Sequence, residues 1–179
     1  MGALQPTPPS TEVVSARSRG VSVREATVRD LNAVLELRLS LLREHPDHPI
    51  YGRLRTDVTP RARELFSTQL RSPGESIFLA EYDGVVAGIL RCVESTGSPL
   101  LEPSRYTYVS SVYVRPELRR RGVLRSLLAA AERWSRARGL DQMRLHNVAG
   151  SPTAEAAWSA LGFEVVEQVR VRQVTPRGD

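Results

Sequence analysis

A run of three arginines and a glycine, Arg119 to Gly122, most constrains the fold, because it lies between a strand pattern and a helix pattern. Aromatic and β-branched residues fill 106–114 before it, and apolar residues recur at helical spacing over 122–138 after it. The first N–H groups of a helix have no helical partner, and the helix dipole makes that end partly positive. Gly122 has no side chain to keep a ligand away from the backbone. The pattern predicts a turn that binds phosphate; a solvated arginine cluster on an ordinary turn is the alternative.

The length and composition indicate one globular domain. The chain has 179 residues, of which 41% are hydrophobic and 25% charged, as in ordinary proteins with a sizeable core. No apolar run approaches the roughly 20 residues that a membrane span needs, so no membrane partner is expected. We expect 1–20, rich in Pro, Ser and Thr, to be disordered, 21–174 to be a single domain and 175–179 to be a tail. Early prolines argue against a signal peptide, so the expected location is the cytoplasm.

The positive charge permits, but does not require, an acidic partner. The net charge is +5, and all 25 basic residues are arginine. Arginine forks match the geometry of phosphate and carboxylate. A basic nucleic-acid-binding domain is one alternative, but the chain shows neither a recognition-helix pattern nor paired aromatics on a basic strand. We therefore do not expect nucleic acid as the partner.

Reactive and metal-binding side chains are few. Cys92 lies in an apolar strand pattern and is expected to be a buried core residue rather than a nucleophile. His45, Asp47 and His48 have a spacing that zinc ligands can adopt. Two prolines in that segment and the lack of a second cluster favour an ordinary loop, so we predict no metal site.

The alternation of patterns predicts the element order β α α β β β α β α β, and hence a mixed sheet with helices packed on it. Thr27 and Asp30 resemble a capping box at the first helix, and Thr59 is the expected N-cap of the second, with Pro60 at its first position. Asp83-Gly84 is typical of a hairpin turn. The predicted strands are 21–25, 77–82, 85–93, 106–114, 143–148 and 163–174; the helices begin near 30, 59, 122 and 152 and end near 42, 70, 138 and 162, with Gly139 as a C′ residue.

Two motifs in this order carry a family resemblance. They are SVYVRPELRRRGV, which runs into the basic turn, and AEAAWSALGFEVV near the end. Both, together with the element order, resemble the GNAT acetyltransferase superfamily over 21–174. Its pyrophosphate loop reads Q/R-x-x-G-x-G/A; Arg119, Arg121 and Gly122 fit it, while Leu124 replaces the usual small residue. The resemblance implies an α/β (α+β) GNAT-like fold, with helices on both faces of a mixed sheet that splays between 106–114 and 143–148.

The resemblance also implies that acetyl-CoA is the cosubstrate and that the activity is N-acetyl transfer to a primary amine of a small molecule or protein. Its pantetheine arm would pair with the backbone of Val112 and Val114. Its pyrophosphate would lie on N–H groups of 121–124, within reach of Arg119 and Arg120. The implied contacts are Val112, Tyr113, Val114, Arg119, Arg120, Arg121, Gly122, Val123, Leu124, Arg125, Ser126 and Trp158. A homodimer also stays open, because sheet edges in this architecture often pair between subunits.

Direct attack by an amine requires groups that move protons. A lysine-like amine has a pKa of about 10.4, so nearly all of it is protonated at pH 7. The developing oxyanion needs a donor, for which a backbone N–H near Val112 is a candidate. The family often places a tyrosine acid where Trp158 stands here, and a carboxylate base where Ser110 and Ser111 stand.

Two other residues are the candidates for these roles. His146 lies on a strand beside the expected cleft, and histidine is the side chain whose unperturbed pKa suits proton transfer near neutral pH; Tyr108 flanks the cleft. A strand histidine without a chemical role and a packing tyrosine are the alternatives. Glu81, Glu94 and Tyr106 are further substitutes. The departures from the family pattern also leave open a CoA- or metabolite-binding module without efficient turnover.

Overall fold

The computed structural model describes residues 20–174. The predicted disorder of 1–20 therefore lies outside the described residues except for Gly20, as does the predicted tail 175–179. The described part holds strands β1 Val21–Glu25, β2 Glu75–Tyr82, β3 Val85–Thr96, β4 Arg105–Val114 and β5 Met143–Leu145. Its helices are α1 Leu31–Arg43, α2 Val58–Gln69, α3 Val123–Ala137 and α4 Pro152–Ala160. None of these helices is long and apolar enough to cross a membrane.

The strands form one mixed sheet in the order β1-β2-β3-β4-β5. The first four pair antiparallel, and β5 pairs parallel to β4 after the crossover through α3. The two faces of the sheet alternate along each strand, so each face can bury its own set of apolar side chains. The predicted mixed sheet with helices on both faces is confirmed.

Each face of the sheet carries a separate core. On one face α3 packs on β2, β3 and β4, and this core contains Trp134 and, as predicted, Cys92. On the other face α1 and α2 pack through Val34 and Phe66 against Leu79 of β2. Burial raises the pKa of the Cys92 thiol to about 12, which makes it unreactive at neutral pH.

Local chemistry sets several element ends as predicted. The Thr27 N–H donates to Asp30 Oδ2 at 2.8 Å, and the Arg29 N–H donates to Thr27 Oγ1 at 3.3 Å, which completes the capping box. The box begins a 3-10 turn that leads into α1. Asp83 and Gly84 have φ of 50° and 82°, as a type I′ hairpin turn requires.

The predicted start of α2 is wrong by two residues. The N-cap is Asp57 rather than Thr59, and Pro60 is the third helical residue. Proline is tolerated there because the first N–H groups of a helix lack partners in any case. The Asp57 carboxylate makes no capping hydrogen bond and pairs instead with Arg55 at 2.8 Å and Arg61 at 2.6 Å.

Two strand predictions near the C-terminus are also wrong. β5 ends at Leu145 rather than at 148, and 163–174 forms no strand. The alternating valines of that segment favour an extended conformation, but a strand needs a hydrogen-bonded neighbour. Within residues 20–174 no strand lies beside it, and Val165, Val166, Val169, Val171 and Val174 are exposed.

Candidate active site

One edge of β4 lacks a neighbour over its second half. Pairing with β5 ends where Val109 meets Leu145, so within the described residues 110–114 have no strand on that side. The register with β3 shifts here, and Ser111 has a φ of 58°, which is rare for a residue with a side chain. The Arg115 N–H donates to Ala87 O on β3 at 2.9 Å. By alternation the backbone groups of 112 and 114 therefore face the unpaired edge.

The unpaired edge leads into the basic turn that precedes α3. Arg120 and Gly122 both have positive φ, 60° and 81°, and Gly122 is the N-cap of the helix. The Ser126 N–H donates to Gly122 O at 3.0 Å and closes the first turn of the helix. The N–H groups of Gly122 through Arg125 consequently have no acceptor within α3. This geometry suits an anion, because the helix dipole adds partial positive charge at the same point.

The arginines of the turn divide into two kinds. Arg119 is braced: its guanidinium pairs with Glu44 at the end of α1, and its Nε donates to Val114 O at 3.0 Å. Arg121 lies with its guanidinium 5.3 Å from the Tyr82 ring centre and donates to the Tyr82 hydroxyl at 3.3 Å. Within residues 20–174 neither Arg120 nor Arg121 has an acidic partner. Arg119 therefore holds the turn in place, and the next two arginines present charge to solvent.

The other predicted contact residues lie at different depths. Val123 is buried under the turn, Leu124 and Ser126 are half-buried in the first helical turn, and Arg125 is exposed. Val112 and Val114 pack half-buried on the α3 core, whereas Tyr113 is buried on the opposite face. Trp158 is half-buried in α4, where it meets Phe163 edge-on at 5.4 Å between ring centres. It is thus no part of either core.

The structure brings together the two side chains predicted for proton transfer. The Tyr108 hydroxyl and His146 Nδ1 are 3.1 Å apart, within hydrogen-bonding distance. Tyr108 is on β4 opposite Arg144 of β5, and His146 follows the end of β5, so the parallel pair positions both. Burial raises the pKa of Tyr108, with smaller contributions from Tyr51 and Tyr106 against a lowering by Arg91. The phenol therefore keeps its proton at neutral pH.

The substitute residues are engaged elsewhere. Glu81 pairs with Arg24 at 3.0 Å, and Glu94 pairs with Arg105. The ring of Tyr106 lies 3.9 Å from the Arg144 guanidinium. Because Glu81, Glu94 and Tyr106 are held by these contacts, Tyr108 and His146 are better placed than they are for proton transfer.

A cluster on the face covered by α1 and α2 was not foreseen from the sequence. It consists of Arg38, Glu75, Arg91 and Ser110, and we call it the Arg38 cluster. Arg91 Nε donates to Glu75 Oε2 at 2.7 Å, and its Nη1 donates to Ser110 Oγ at 3.3 Å. Arg38 lies with its guanidinium 4.8 Å from the Phe66 ring centre. One feature of the sequence could have indicated the cluster: Arg38 interrupts the apolar positions of α1.

The histidines of the loop between α1 and α2 make local contacts. His48 Nδ1 accepts from the N–H groups of Ile50 and Tyr51, each at 3.2 Å, and its ring stacks on Tyr51. The described residues contain no group of three or more metal-ligating side chains. Tyr51 in turn is near enough to Tyr108 to contribute to the raised pKa of that phenol.

Known proteins resemble this chain in sequence and fold. The sequence matches the acetyltransferase (GNAT) family over residues 38–163. Aminoglycoside N(6')-acetyltransferase type 1 of Stenotrophomonas maltophilia is 30% identical over 153 residues, which cover 83% of this chain and 89% of that enzyme. The enzyme of the same name from Salmonella typhimurium is 29% identical over 93 residues, which cover 51% of this chain and 64% of that enzyme. The matched part thus spans less than two thirds of the length of that relative.

A solved structure supports the same fold. Aminoglycoside N-acetyltransferase AAC(6')-Iy in complex with CoA superposes with a TM-score of 0.70 at 24% identity, covering 89% of this chain and 97% of that one. The family match covers most of the described residues and includes the free edge of β4, the basic turn and the Gly-Phe segment. This chain therefore belongs to the acetyltransferase (GNAT) family.

Proposed function

We propose that the protein transfers an acetyl group from acetyl-CoA to a primary amine of a small molecule or a protein. The observation that carries this proposal is the unpaired edge of β4, which leads directly into a turn whose N–H groups have no helical acceptor. Two relatives are named as aminoglycoside N-acetyltransferases, and the solved neighbour holds CoA. Both agree with an acetyl-CoA-dependent reaction here.

The chemistry of the turn fits the pyrophosphate of acetyl-CoA. The N–H groups of Gly122 to Arg125 supply donors, and the exposed Arg120, Arg121 and Arg125 supply charge. Val112 and Val114 offer backbone groups to the pantetheine arm by strand addition. Arg119 already bonds Val114 O, so we assign it to holding the turn rather than to contacting phosphate.

We assign proton transfer to Tyr108 and His146. The thioester of acetyl-CoA supplies the acetyl group, and an N–C bond forms as the C–S bond breaks. His146 takes the proton that the attacking amine loses, and Tyr108 gives one to the departing thiolate. The hydrogen bond between the two side chains lets the proton pass from His146 back to Tyr108, so the pair returns to its starting state.

The first test is binding of acetyl-CoA, measured by isothermal titration calorimetry. The unmodified chain should bind, and Arg121→Glu should weaken binding because it reverses a charge at the turn. Gly122→Asp should raise Kd at least about tenfold, which corresponds to about 1.4 kcal/mol. A Cβ at Gly122 would meet no atom within 4 Å, so the cost of the variant comes from backbone strain and charge.

Gly122→Asn is the matched control, because it has nearly the same size and tolerates the same backbone conformation without the charge. It should lose less affinity than Gly122→Asp. Equal losses would show that the N-terminus of α3 does not hold an anion. No heat at millimolar acetyl-CoA would overturn the proposed function itself.

A binding module without efficient turnover is the second candidate. Trp158 cannot act as a proton donor of useful acidity, and Ser110 and Ser111 provide no carboxylate at the unpaired edge. Release of free CoA in the presence of a panel of amines separates the two functions. Binding without any release would favour the module.

We also propose that the protein forms a homodimer through 163–174. This segment has the alternation of a strand and five exposed valines, and within residues 20–174 it has no pairing partner. In the part of the chain that the structure describes, the edge of β5 away from β4 is unpaired as well. In a dimer, segment 163–174 of one copy could pair with the free edge of β5 in the other, because an exposed strand edge is a template for pairing.

A further inference from the structure

We infer that the acceptor amine also carries a carboxylate, which the guanidiniums of Arg38 and Arg91 recognise. This inference rests on the proposed function and deepens it, since it names the substrate class as amino acids rather than polycationic amines. The observations that carry it are the lack of partners for Arg38, the composition of its cluster and the position of that cluster beside Tyr108.

Arg38 is a half-buried cation, and within residues 20–174 two of its guanidinium nitrogens have no partner. Its Nε and Nη1 are inaccessible to solvent and have no hydrogen-bond acceptor within residues 20–174. It projects from α1 among apolar neighbours and lies against the face of Phe66. Buried guanidinium groups are ordinarily paired, because removing an ion from water without a counter-charge is costly. Because the side chain as a whole is only half-buried, an anion from outside the chain could approach this guanidinium and supply the missing partner.

The cluster has more positive than negative charge. Glu75 is its only carboxylate, and it is already bonded twice by Arg91, at 2.7 Å to Nε and 2.6 Å to Nη2. Burial and the nearby charge of Arg91 lower the pKa of Arg38 to about 10, so Arg38 still carries its charge at neutral pH. Two guanidiniums for one carboxylate leave one unit of positive charge to be matched. A planar carboxylate suits such forks because it can accept two parallel N–H bonds.

The cluster lies beside the proposed proton-transfer pair. Arg91 is opposite Ser110, and Val93 is opposite Tyr108, in the antiparallel pairing of β3 with β4. Residues two apart on a strand share a face, so Arg91, Ser110 and Tyr108 all face the layer of α1 and α2. Diagonal neighbours of this kind are about 7–8 Å apart. A molecule that carries an amine and a carboxylate a few atoms apart could therefore reach both Tyr108 and Arg38.

The same surroundings suit an aminoglycoside poorly. Such a molecule carries several positive charges and needs carboxylates to neutralise them. Glu75, the carboxylate of the Arg38 cluster, is already paired with Arg91, and Asp57 at the start of α2 is paired with two arginines. Arg38 would add repulsion, which discriminates against cationic ligands. The acceptor named for the relatives is thus disfavoured here.

The test compares common L-amino acids with the amines that remain when the α-carboxylate is removed, for example lysine with cadaverine and tyrosine with tyramine. Tobramycin is included as a polycation. CoA release reports turnover of the full chain. For the preferred acceptor, the amino acid should exceed its decarboxylated partner in kcat/KM by roughly 10- to 100-fold, as expected for charge-assisted hydrogen bonds.

Arg38→Met keeps the length and apolar packing of the side chain but removes the charge. It should lower kcat/KM for the amino acid by a similar factor, leave the decarboxylated amine nearly unchanged and leave the Kd of acetyl-CoA unchanged. Its Tm should be equal or higher, since an unpaired buried charge is lost. A purely structural role would instead predict a lower Tm and equal losses for both acceptors. Arg136→Met, at an exposed arginine of α3, is the matched control for charge.

Several outcomes would overturn the inference. These are a preference for tobramycin or for the decarboxylated amines, equal effects of Arg38→Met on both acceptors, and turnover of no amino acid by a chain that binds acetyl-CoA. Failure to bind acetyl-CoA at all is a different result, since it overturns the proposed function first.

Discussion

The phenol of Tyr108 combines three properties that a proton donor needs. It is half-buried, its pKa is raised above the ordinary value chiefly by that burial, and His146 is 3.1 Å away. A raised pKa keeps the proton on the oxygen until a stronger base, such as a departing thiolate, develops beside it. Tyr106 is two residues away on the same strand, yet its ring is held against Arg144. Tyr106 and Tyr108 are therefore two phenols on one strand whose surroundings differ.

Tyr108→Phe should lower kcat by roughly 100-fold, in keeping with the usual contribution of one acid–base group. The KM for acetyl-CoA should change little, because the phenol is remote from the basic turn. On the alkaline side, the unmodified protein should keep its activity up to the ordinary tyrosine pKa of about 10 and lose it above, because burial raises the pKa of Tyr108. That alkaline loss should be absent from the variant. Tyr106→Phe is the control; if its effect on kcat equalled that of Tyr108→Phe, the assigned role would be wrong.

The start of α1 depends on one carboxylate. Asp30 accepts from the Thr27 N–H and from two nitrogens of Arg24, at 2.8, 2.9 and 2.8 Å. Arg24 beside it holds the pKa of Asp30 well below its usual range. A carboxyl whose pKa is depressed on folding contributes stability that is present above its unfolded pKa, near 4, and is lost as the pH falls. This cap also anchors the helix that carries Arg38.

Asp30→Ala should lower the free energy of unfolding by about 1–2 kcal/mol at pH 7, the usual cost of losing a capping carboxylate. The difference from the unmodified chain should be constant from pH 6 to 8 and should shrink below about pH 4, where the carboxyl of the unfolded chain protonates while that of the folded chain stays ionised. Urea unfolding at several pH values measures it. Asp141→Ala removes an exposed carboxylate without such contacts within the described residues and should have little effect. A difference that persists unchanged at pH 3 would contradict the role of the ionised carboxylate.

The sequence predicts the ends of an element well where those ends are set by residues close to them in the chain. The capping box at Thr27, the Asp83-Gly84 turn and the left-handed Gly139 all follow from local hydrogen bonds or backbone freedom. The basic turn and its place before α3 follow from the same kind of signal. By contrast, β5 stops early because β4 carries a bulge opposite its continuation, and no local pattern reveals that bulge at Ser111. The Arg38 cluster joins α1 to two strands, so only the tertiary fold brings it together.

At the scale of the whole molecule, the described chain leaves apolar surface at its C-terminal end that a second copy could cover. Val169 and Val171 alternate with arginines, are 68% and 46% exposed, and pair with no strand within residues 20–174. Exposed segments of this kind usually mark an interface or an aggregation site. The net charge of +5 opposes indiscriminate association, which favours a closed pair over larger assemblies.

The protein should therefore have the mass of a dimer in light scattering coupled to size-exclusion chromatography at micromolar concentration. Replacing both Val169 and Val171 with aspartate should shift it to the monomer, because two charges would have to be buried in the paired segment. Val85→Asp is the control, since Val85 is 58% exposed at the start of β3, next to the hairpin turn. A monomer before any substitution, even at the highest soluble concentration, would exclude the dimer. If the double variant is monomeric but binds acetyl-CoA with an unchanged Kd, each subunit carries a complete cosubstrate site, as the position of the basic turn within a single chain requires.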